Sequence, residues 1–193
     1  MNVYLYQPQY AVDYDQITNY WLPYSAACVW SYASQFSDIT NNFELAGLGF
    51  KREPIQTAMQ HINDPAVFGF SCFQWNRNYN LALAQAVKER YPNCVIVFGG
   101  PETSERMLDH DFVDSIIMGE GEICFVELLR GILANNPVKR QYSAPRIKQL
   151  DFPSPYQLGL FDPIVQAHPD SKFAATLETN RGCPYQCTFC DWG

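Results

Sequence analysis

The chain has 193 residues, of which 47% are hydrophobic and 17% charged, and its 13 Lys and Arg against 20 Asp and Glu give a formal charge of −7. No basic run offers a track for phosphates, so nucleic-acid binding driven by counterion release is excluded. Residues 1–9 lack the basic start and apolar stretch of a signal peptide, and no run approaches the ~18 apolar residues of a membrane span; a soluble, cytoplasmic protein with no membrane partner is expected.

From Val3 to Leu133 short apolar runs alternate with helical patterns, the signal of βα units around a parallel sheet. Val3-Tyr4-Leu5-Tyr6 reads as a first strand stopped by Gln7-Pro8, and Pro23 to Phe36 as a first helix. Phe43 to Phe50 is a weaker, glycine-interrupted strand. Pro54 suits the first turn of a helix through Ile62, because its missing N–H would have no intrahelical partner there. Val67 to Ser71 gives a third strand, followed by helical spacing through Leu83, Ala86, Val87 and Tyr91. Cys94 to Phe98 is apolar without alternation, as in a strand buried on both faces, and Gly99-Gly100-Pro101 ends it. Val113 to Met118 makes a fifth strand, and Gly119-Glu120-Gly121-Glu122 leads into a helix bearing Phe125, Leu128, Leu129, Ile132 and Leu133.

The expected fold is α/β, a doubly wound, five-stranded parallel sheet of Rossmann-like or flavodoxin-like order over residues 1–136. Ligands of such sheets bind beyond the carboxyl ends of the strands. Gln7 to Tyr10, Ser71 to Asn76, Gly99 to Thr103 and Gly119 to Glu122 lie there. Glu120 and Glu122 read as carboxylates at a helix N-terminus, favoured by its dipole, and Phe73, Gln74, Trp75 and Asn76 as a surface against which a planar group can lie. Residues 137–172 carry prolines at short intervals and read as a linker that runs over a surface or wraps a neighbouring domain. Phe173 to Thr179 reads as one more strand, the start of a second unit over 173–193.

Seven cysteines is an odd number. Cys28, Cys72, Cys94 and Cys124 sit singly in apolar patterns, as small buried hydrophobes do. Cys183, Cys187 and Cys190 instead crowd together, and close thiols in a reducing compartment ligate metals or do redox chemistry. Zinc in a structural site takes four closed ligands, and only one knuckle is present; His168 or Asp191 are the nearby residues able to complete it. A cubane cluster held by three cysteines keeps one iron open to a substrate.

The CxxxCxxC spacing, with Phe189 just before its last cysteine, resembles the signature of radical S-adenosylmethionine (SAM) enzymes. The resemblance implies that Cys183, Cys187 and Cys190 hold three irons of a [4Fe–4S] cluster and that SAM chelates the fourth. Phe189 would lie near the adenine, and an electron from the cluster would cleave SAM to a 5′-deoxyadenosyl radical. The strand before the motif would be the first of a partial (β/α) barrel. The upstream domain resembles the cobalamin (B12)-binding subgroup of that family. Its loops are matched by Ser71-Cys72-Phe73, by Gly99-Gly100-Pro101 and by Gly119-Glu120-Gly121-Glu122, and its linker by the stretch from Asp151 to Asp162.

By that resemblance the three loops enclose the nucleotide tail of the corrinoid, its ring lies on the strand ends facing the cluster, and the chain is the N-terminal portion of a B12-dependent radical SAM enzyme, ending just after the cluster motif. Methyl transfer to an unactivated carbon is the implied reaction, with a reductant such as flavodoxin or ferredoxin and a substrate that the residues do not name. One departure stands out: the Asp-x-His-x-x-Gly loop that supplies a lower cobalt ligand in many corrinoid proteins is absent from Gln7 to Tyr20, and His61, His110 and His168 lie outside any such motif. On its own the chain is expected to bind cofactors without turnover. The alternatives are a non-catalytic corrinoid-binding module and a flavodoxin-like domain with a zinc knuckle.

Overall fold

The computed structural model describes residues 1–9, 12–14, 17–147, 152–183, 185 and 187–189. Its elements in chain order begin with β1 (Asn2–Gln9), β2 (Val12–Tyr14), β3 (Ile17–Trp21), α1 (Tyr24–Ala33), α2 (Ser37–Thr40) and β4 (Glu44–Lys51). Then come α3 (Ile55–Ala58), β5 (Pro65–Ser71), α4 (Arg77–Arg90), β6 (Val95–Gly99), β7 (Ser115–Met118) and α5 (Gly121–Leu133). The last described elements are β8 (Gln141–Ser143), α6 (Asp162–Ala167) and β9 (Lys172–Ala174).

Six strands form one sheet in the order β4-β1-β5-β6-β7-β8, every pair parallel. This is the expected flavodoxin-like order with a sixth strand added at one edge. Helices cover both faces. On one, Val3, Leu5, Val67 and Val97 pack with α1 and α5 through Ala26, Trp30, Phe125 and Leu129. On the other, Tyr4, Tyr6, Phe68, Phe70 and Phe98 pack with Leu83, Ala84 and Val87 of α4, the rings of Phe70 and Phe98 stacked 4.9 Å apart. Burial on both faces is why β5 and β6 read as unbroken apolar runs.

Three features depart from the sequence reading. β1 does not stop at Gln7-Pro8 but runs to Gln9, with its register against β4 shifting between Tyr6 and Gln9. A bulge of this kind tolerates proline, which lacks a ladder donor. The segment after β1 contains an antiparallel pair, β2 with β3, and β9 joins β3 in parallel. β9 is also shorter than the run from Phe173 to Thr179. Both backbone groups of Thr176 bond the Tyr156 hydroxyl, its N–H donating at 2.9 Å and its carbonyl accepting at 2.8 Å, so the chain has left the ladder there.

The stretch expected as a linker contributes β8 and α6. Arg140 donates to the carbonyls of Val113 and Leu108, both at 2.7 Å, and Tyr142 is buried, which fixes β8 beside β7. Farther on, Phe161 and Ile164 share a buried cluster with Leu22, Ala27 and Phe50. Tyr156 stacks on Tyr24, and the Ser31 hydroxyl donates to the Pro153 carbonyl. Residues 152–167 are therefore strapped across α1.

Candidate functional site

Four segments meet at the carboxyl edge of the sheet: the end of β1, the loop after β5, the loop after β6 and the turn between β7 and α5. The loops after β5 and β6 are tied to each other through backbone. The Cys72 N–H donates to the Gly99 carbonyl at 2.6 Å, and the Cys72 carbonyl accepts from the Glu102 N–H at 3.1 Å. Gly100 sits against this junction with φ +101, where a Cβ would stand 2.7 Å from the Cys72 oxygen and 2.8 Å from its nitrogen. Only glycine meets both conditions.

The loop after β5 is held from below by two asparagines that are fully buried. Asn76 accepts from the Phe73 N–H at 2.8 Å, and its amide donates to the Pro8 and Ser71 carbonyls, each at 3.0 Å. Asn80, one turn later on α4, donates to Asn76 at 3.2 Å and to the Ser71 carbonyl at 3.3 Å. A buried polar network of this kind holds a loop in one shape. Above it the Phe73 and Trp75 rings stack 4.7 Å apart and 13° from parallel, Trp75 being exposed.

The site residues expected from sequence thus divide. Ser71, Phe73, Gly99, Gly100, Pro101, Gly119, Glu120 and Gly121 all stand at this edge. Cys72 stands there too, yet its side chain is fully buried and both of its backbone groups are taken within the chain, so it holds the loop instead of facing a ligand. Asn76 likewise faces inward. Gly100 approaches the Cys72 backbone, not an open cleft. Gly99 and Gly119 differ: a Cβ on Gly99 would come no nearer than 3.8 Å to Ile117, and one on Gly119 would meet nothing within 4 Å. These two leave space that a bound molecule can occupy. The Thr103 hydroxyl is buried without a hydrogen bond among the described residues. An open crest with close backbone and an unsatisfied hydroxyl suits a ligand lying flat on the strand ends.

The acids after β7 do something the sequence reading did not foresee. They bond not to their own helix but to Arg181. The Arg181 guanidinium donates from Nη1 to Glu120 at 3.2 Å, from Nη2 to Glu122 at 2.6 Å, and from Nε and Nη2 to Glu178 at 2.9 and 3.1 Å. Its face lies 5.8 Å from the Phe152 ring, and Glu120 also accepts from the Ile147 N–H at 2.9 Å. The Arg181 and Glu122 side chains keep only 15% and 5% exposure. Burial opposes the guanidinium charge, but the hydrogen bonds it donates to Glu122 and Glu178 outweigh it and push its pKa above the ordinary value. Arg181 carried no signal in the sequence beyond its nearness to the cysteines, because two of its three partners, Glu120 and Glu122, lie about sixty residues away.

Next to Arg181, Gly182 takes φ +79, and a side chain there would collide with the Arg146 guanidinium. Beyond it Cys183, Cys187 and Phe189 are exposed, and Cys183 and Cys187 are free thiols; Cys190 lies outside the described residues. Among the described residues no three His, Cys, Asp or Glu side chains are grouped to hold a metal ion. His168 is engaged elsewhere: its Nδ1 donates to the Ile164 carbonyl at 2.9 Å, leaving Nε2 to accept from Lys51 at 3.1 Å. It is therefore no ligand to the cysteine loop, and Asp191 lies outside the described residues. The four single cysteines are buried as expected, and burial pushes the Cys28 and Cys94 thiols up to about 12 and Cys72 to about 11.

Among the described residues no helix is long and apolar enough to cross a membrane. Surface depressions of about 300 Å³ beside Lys88 and Phe112 and about 420 Å³ beside Arg130 and Tyr142 lie on the helical flanks, away from the strand ends.

Comparison with known proteins adds an independent line. The family model of the B12 binding domain matches residues 26–129. Over 89% of its length the chain is 38% identical to a cobalamin-dependent radical SAM methyltransferase, TokK, of Streptomyces tokunonensis. Over the same share it is 35% identical to the 2-(S-pantetheinyl)-carbapenam-3-carboxylate methyltransferase of Streptantibioticus cattleyicolor. A third relative, 28% identical over 56% of the chain, is the anaerobic magnesium-protoporphyrin IX monomethyl ester cyclase of Synechocystis. The chain spans 28% of the length of each of the first two relatives and 25% of the third.

Proposed function

We propose, since this chain belongs to the B12-binding domain family, that it is the corrinoid-binding part of a cobalamin-dependent radical SAM methyltransferase acting on an unactivated carbon. The observation that carries this reading is the convergence on one sheet edge of the open Gly99 and Gly119 crest and of Arg181, two residues ahead of the cysteine motif. The corrinoid lies on that crest, with Ser71, Pro101 and Thr103 bordering it and the Phe73 and Trp75 rings offering a planar face. Cys183, Cys187 and Cys190 hold the [4Fe–4S] cluster, whose three-thiolate donor set leaves one iron for SAM, and Phe189 lies beside the adenine. When bound, cobalamin carries the methyl group and the cluster supplies the electron that opens the sulfonium. A flavodoxin or ferredoxin supplies that electron to the cluster. The residues of this chain position, shield and space the two cofactors.

Residues 1–136 with β8 then form the corrinoid unit, 152–172 the strap, and 173–193 the entry to the cluster unit. The relatives also include a cyclase, so the methyl-transfer reading rests on the two methyltransferases of higher identity. A zinc knuckle is disfavoured by the engagement of His168.

Titration with hydroxocobalamin tests the corrinoid site. Saturable binding is expected, weakened tenfold or more in Gly99→Leu (about 1.4 kcal/mol) with the melting temperature unchanged. Equal affinity in the variant removes the crest from the site. Anaerobic reconstitution with iron and sulfide tests the cluster: a broad visible absorbance lost in Cys187→Ser is expected, and tight stoichiometric zinc without that absorbance rejects it.

A further inference from the structure

We infer that Arg181 is a positioning residue, an ionic latch that fixes the cysteine loop to the carboxyl edge of the B12-binding sheet. The inference deepens the functional reading and rests on it for its purpose, which is to set the spacing between the two cofactor sites. Three acids from two parts of the chain converge on one guanidinium: Glu120 and Glu122 at the start of α5, and Glu178 three residues before Arg181. Glu178 occupies the Nε side of the fork, while Glu120 and Glu122 take Nη1 and Nη2. A planar fork with five donors suits this arrangement, whereas a lysine ammonium, a single point charge, does not.

The latch acts at short range. Cys183 follows Arg181 by two positions, so an extended chain allows at most ~7 Å between their Cα atoms. Fixing the guanidinium on α5 therefore bounds where the first thiolate stands relative to Gly119. Two further ties lie on either side of it. Tyr156 holds both backbone groups of Thr176, and Glu120 holds the Ile147 N–H, beside the Arg146 that crowds Gly182. Without Arg181, Glu120, Glu122 and Glu178 would leave three acids facing one another at low exposure, which favours separation of the two segments.

The test uses the 193-residue chain without cofactors. In a Cys183→Ser, Cys190→Ser background, Cys187 and an Asn78→Cys substitution on exposed α4 carry spin labels, while the buried thiols stay unreactive. Pulsed dipolar spectroscopy then reads their separation. A narrow distribution is expected with Arg181. In Arg181→Ala and Glu122→Gln it broadens about twofold, and amide exchange over 176–182 accelerates about tenfold, as for a locally opened segment, while β5 and β6 exchange unchanged. Arg181→Lys restores the width only in part, and Asp38→Asn, which removes the separate ion pair between Arg130 of α5 and Asp38, leaves it narrow. An unchanged distribution in Arg181→Ala overturns the latch, as does broadening matched by equal acceleration in β5 and β6, which would make Arg181 a general stabiliser. If the latch variants broaden while the wild-type chain binds neither hydroxocobalamin nor a cluster, the functional reading fails and the latch stands as a clamp on the loop.

Discussion

Replacement of Gly100 by alanine separates a glycine required by the chain from one that leaves room for a ligand. At φ +101 an L-residue is strained, at a cost of about 1–3 kcal/mol. Its Cβ would also stand 2.7 and 2.8 Å from backbone atoms of Cys72, which cannot swing aside as a side-chain tip does, and overpacking of this kind adds about 1–3 kcal/mol. Together Gly100→Ala should destabilise the fold by about 2–6 kcal/mol, and for a chain of this size each kcal/mol lowers the melting temperature by about 2–4 °C. Gly99→Ala is the control, because its Cβ meets Ile117 at an ordinary 3.8 Å; a change within about 1 kcal/mol of wild type is expected there. Urea unfolding followed by circular dichroism, with thermal melts beside it, measures both. Coincident transitions for Gly100→Ala and wild type would refute the argument that the two loops meet through the Gly100 to Cys72 approach.

Two further outcomes follow from the same structure. Asn76→Ala removes the partners of the Phe73 N–H and of the Pro8 carbonyl, at about 1–3 kcal/mol for each buried group left unpaired. Equilibrium unfolding should show a loss of about 2–6 kcal/mol, and a loss below about 1 kcal/mol would mean that the loop does not depend on this network. Cys94 gives a pH test. Burial raises its thiol from 9.0 to about 12, so the unfolded thiol ionises first. The stabilisation is whole below about pH 9 and lost as pH rises towards about 12, by up to about 1.4 kcal/mol per pH unit. Cys94→Ala should flatten the alkaline stability curve by that slope, and parallel curves for the two proteins would place the thiol in contact with solvent.

The alternation of apolar runs and helical periods was local information, and it located the five main strands because each of them carries its own burial pattern. The glycines of β4 looked like interruptions of a strand, yet a Cβ at Gly47 would enter the Tyr4 ring, so the weakness of that signal reflects packing by a neighbouring strand. The four single cysteines were legible for the same reason, as isolated apolar positions. β8 was not legible: three residues between prolines have no period to read, and what makes them a strand is the free edge of β7 and the Arg140 contacts. The parallel pairing of β3 with β9 escaped notice likewise, because the two strands lie about 150 residues apart.

At the site the division is sharper. Sequence alone determined which loops crown the sheet, that three cysteines share a CxxxCxxC spacing, and the family that both resemble, because ligand type and spacing are properties of consecutive residues. It placed Gly99 and Gly100 together, and only the tertiary structure distinguished them, since a Cβ on the first would make ordinary contact with Ile117 and one on the second would strike backbone atoms of a different loop. It marked Glu120 and Glu122 as helix-end acids, and only the tertiary structure gave them Arg181. Charge complementarity between residues about sixty positions apart depends on how the chain returns to the sheet edge, and no local pattern carries that information.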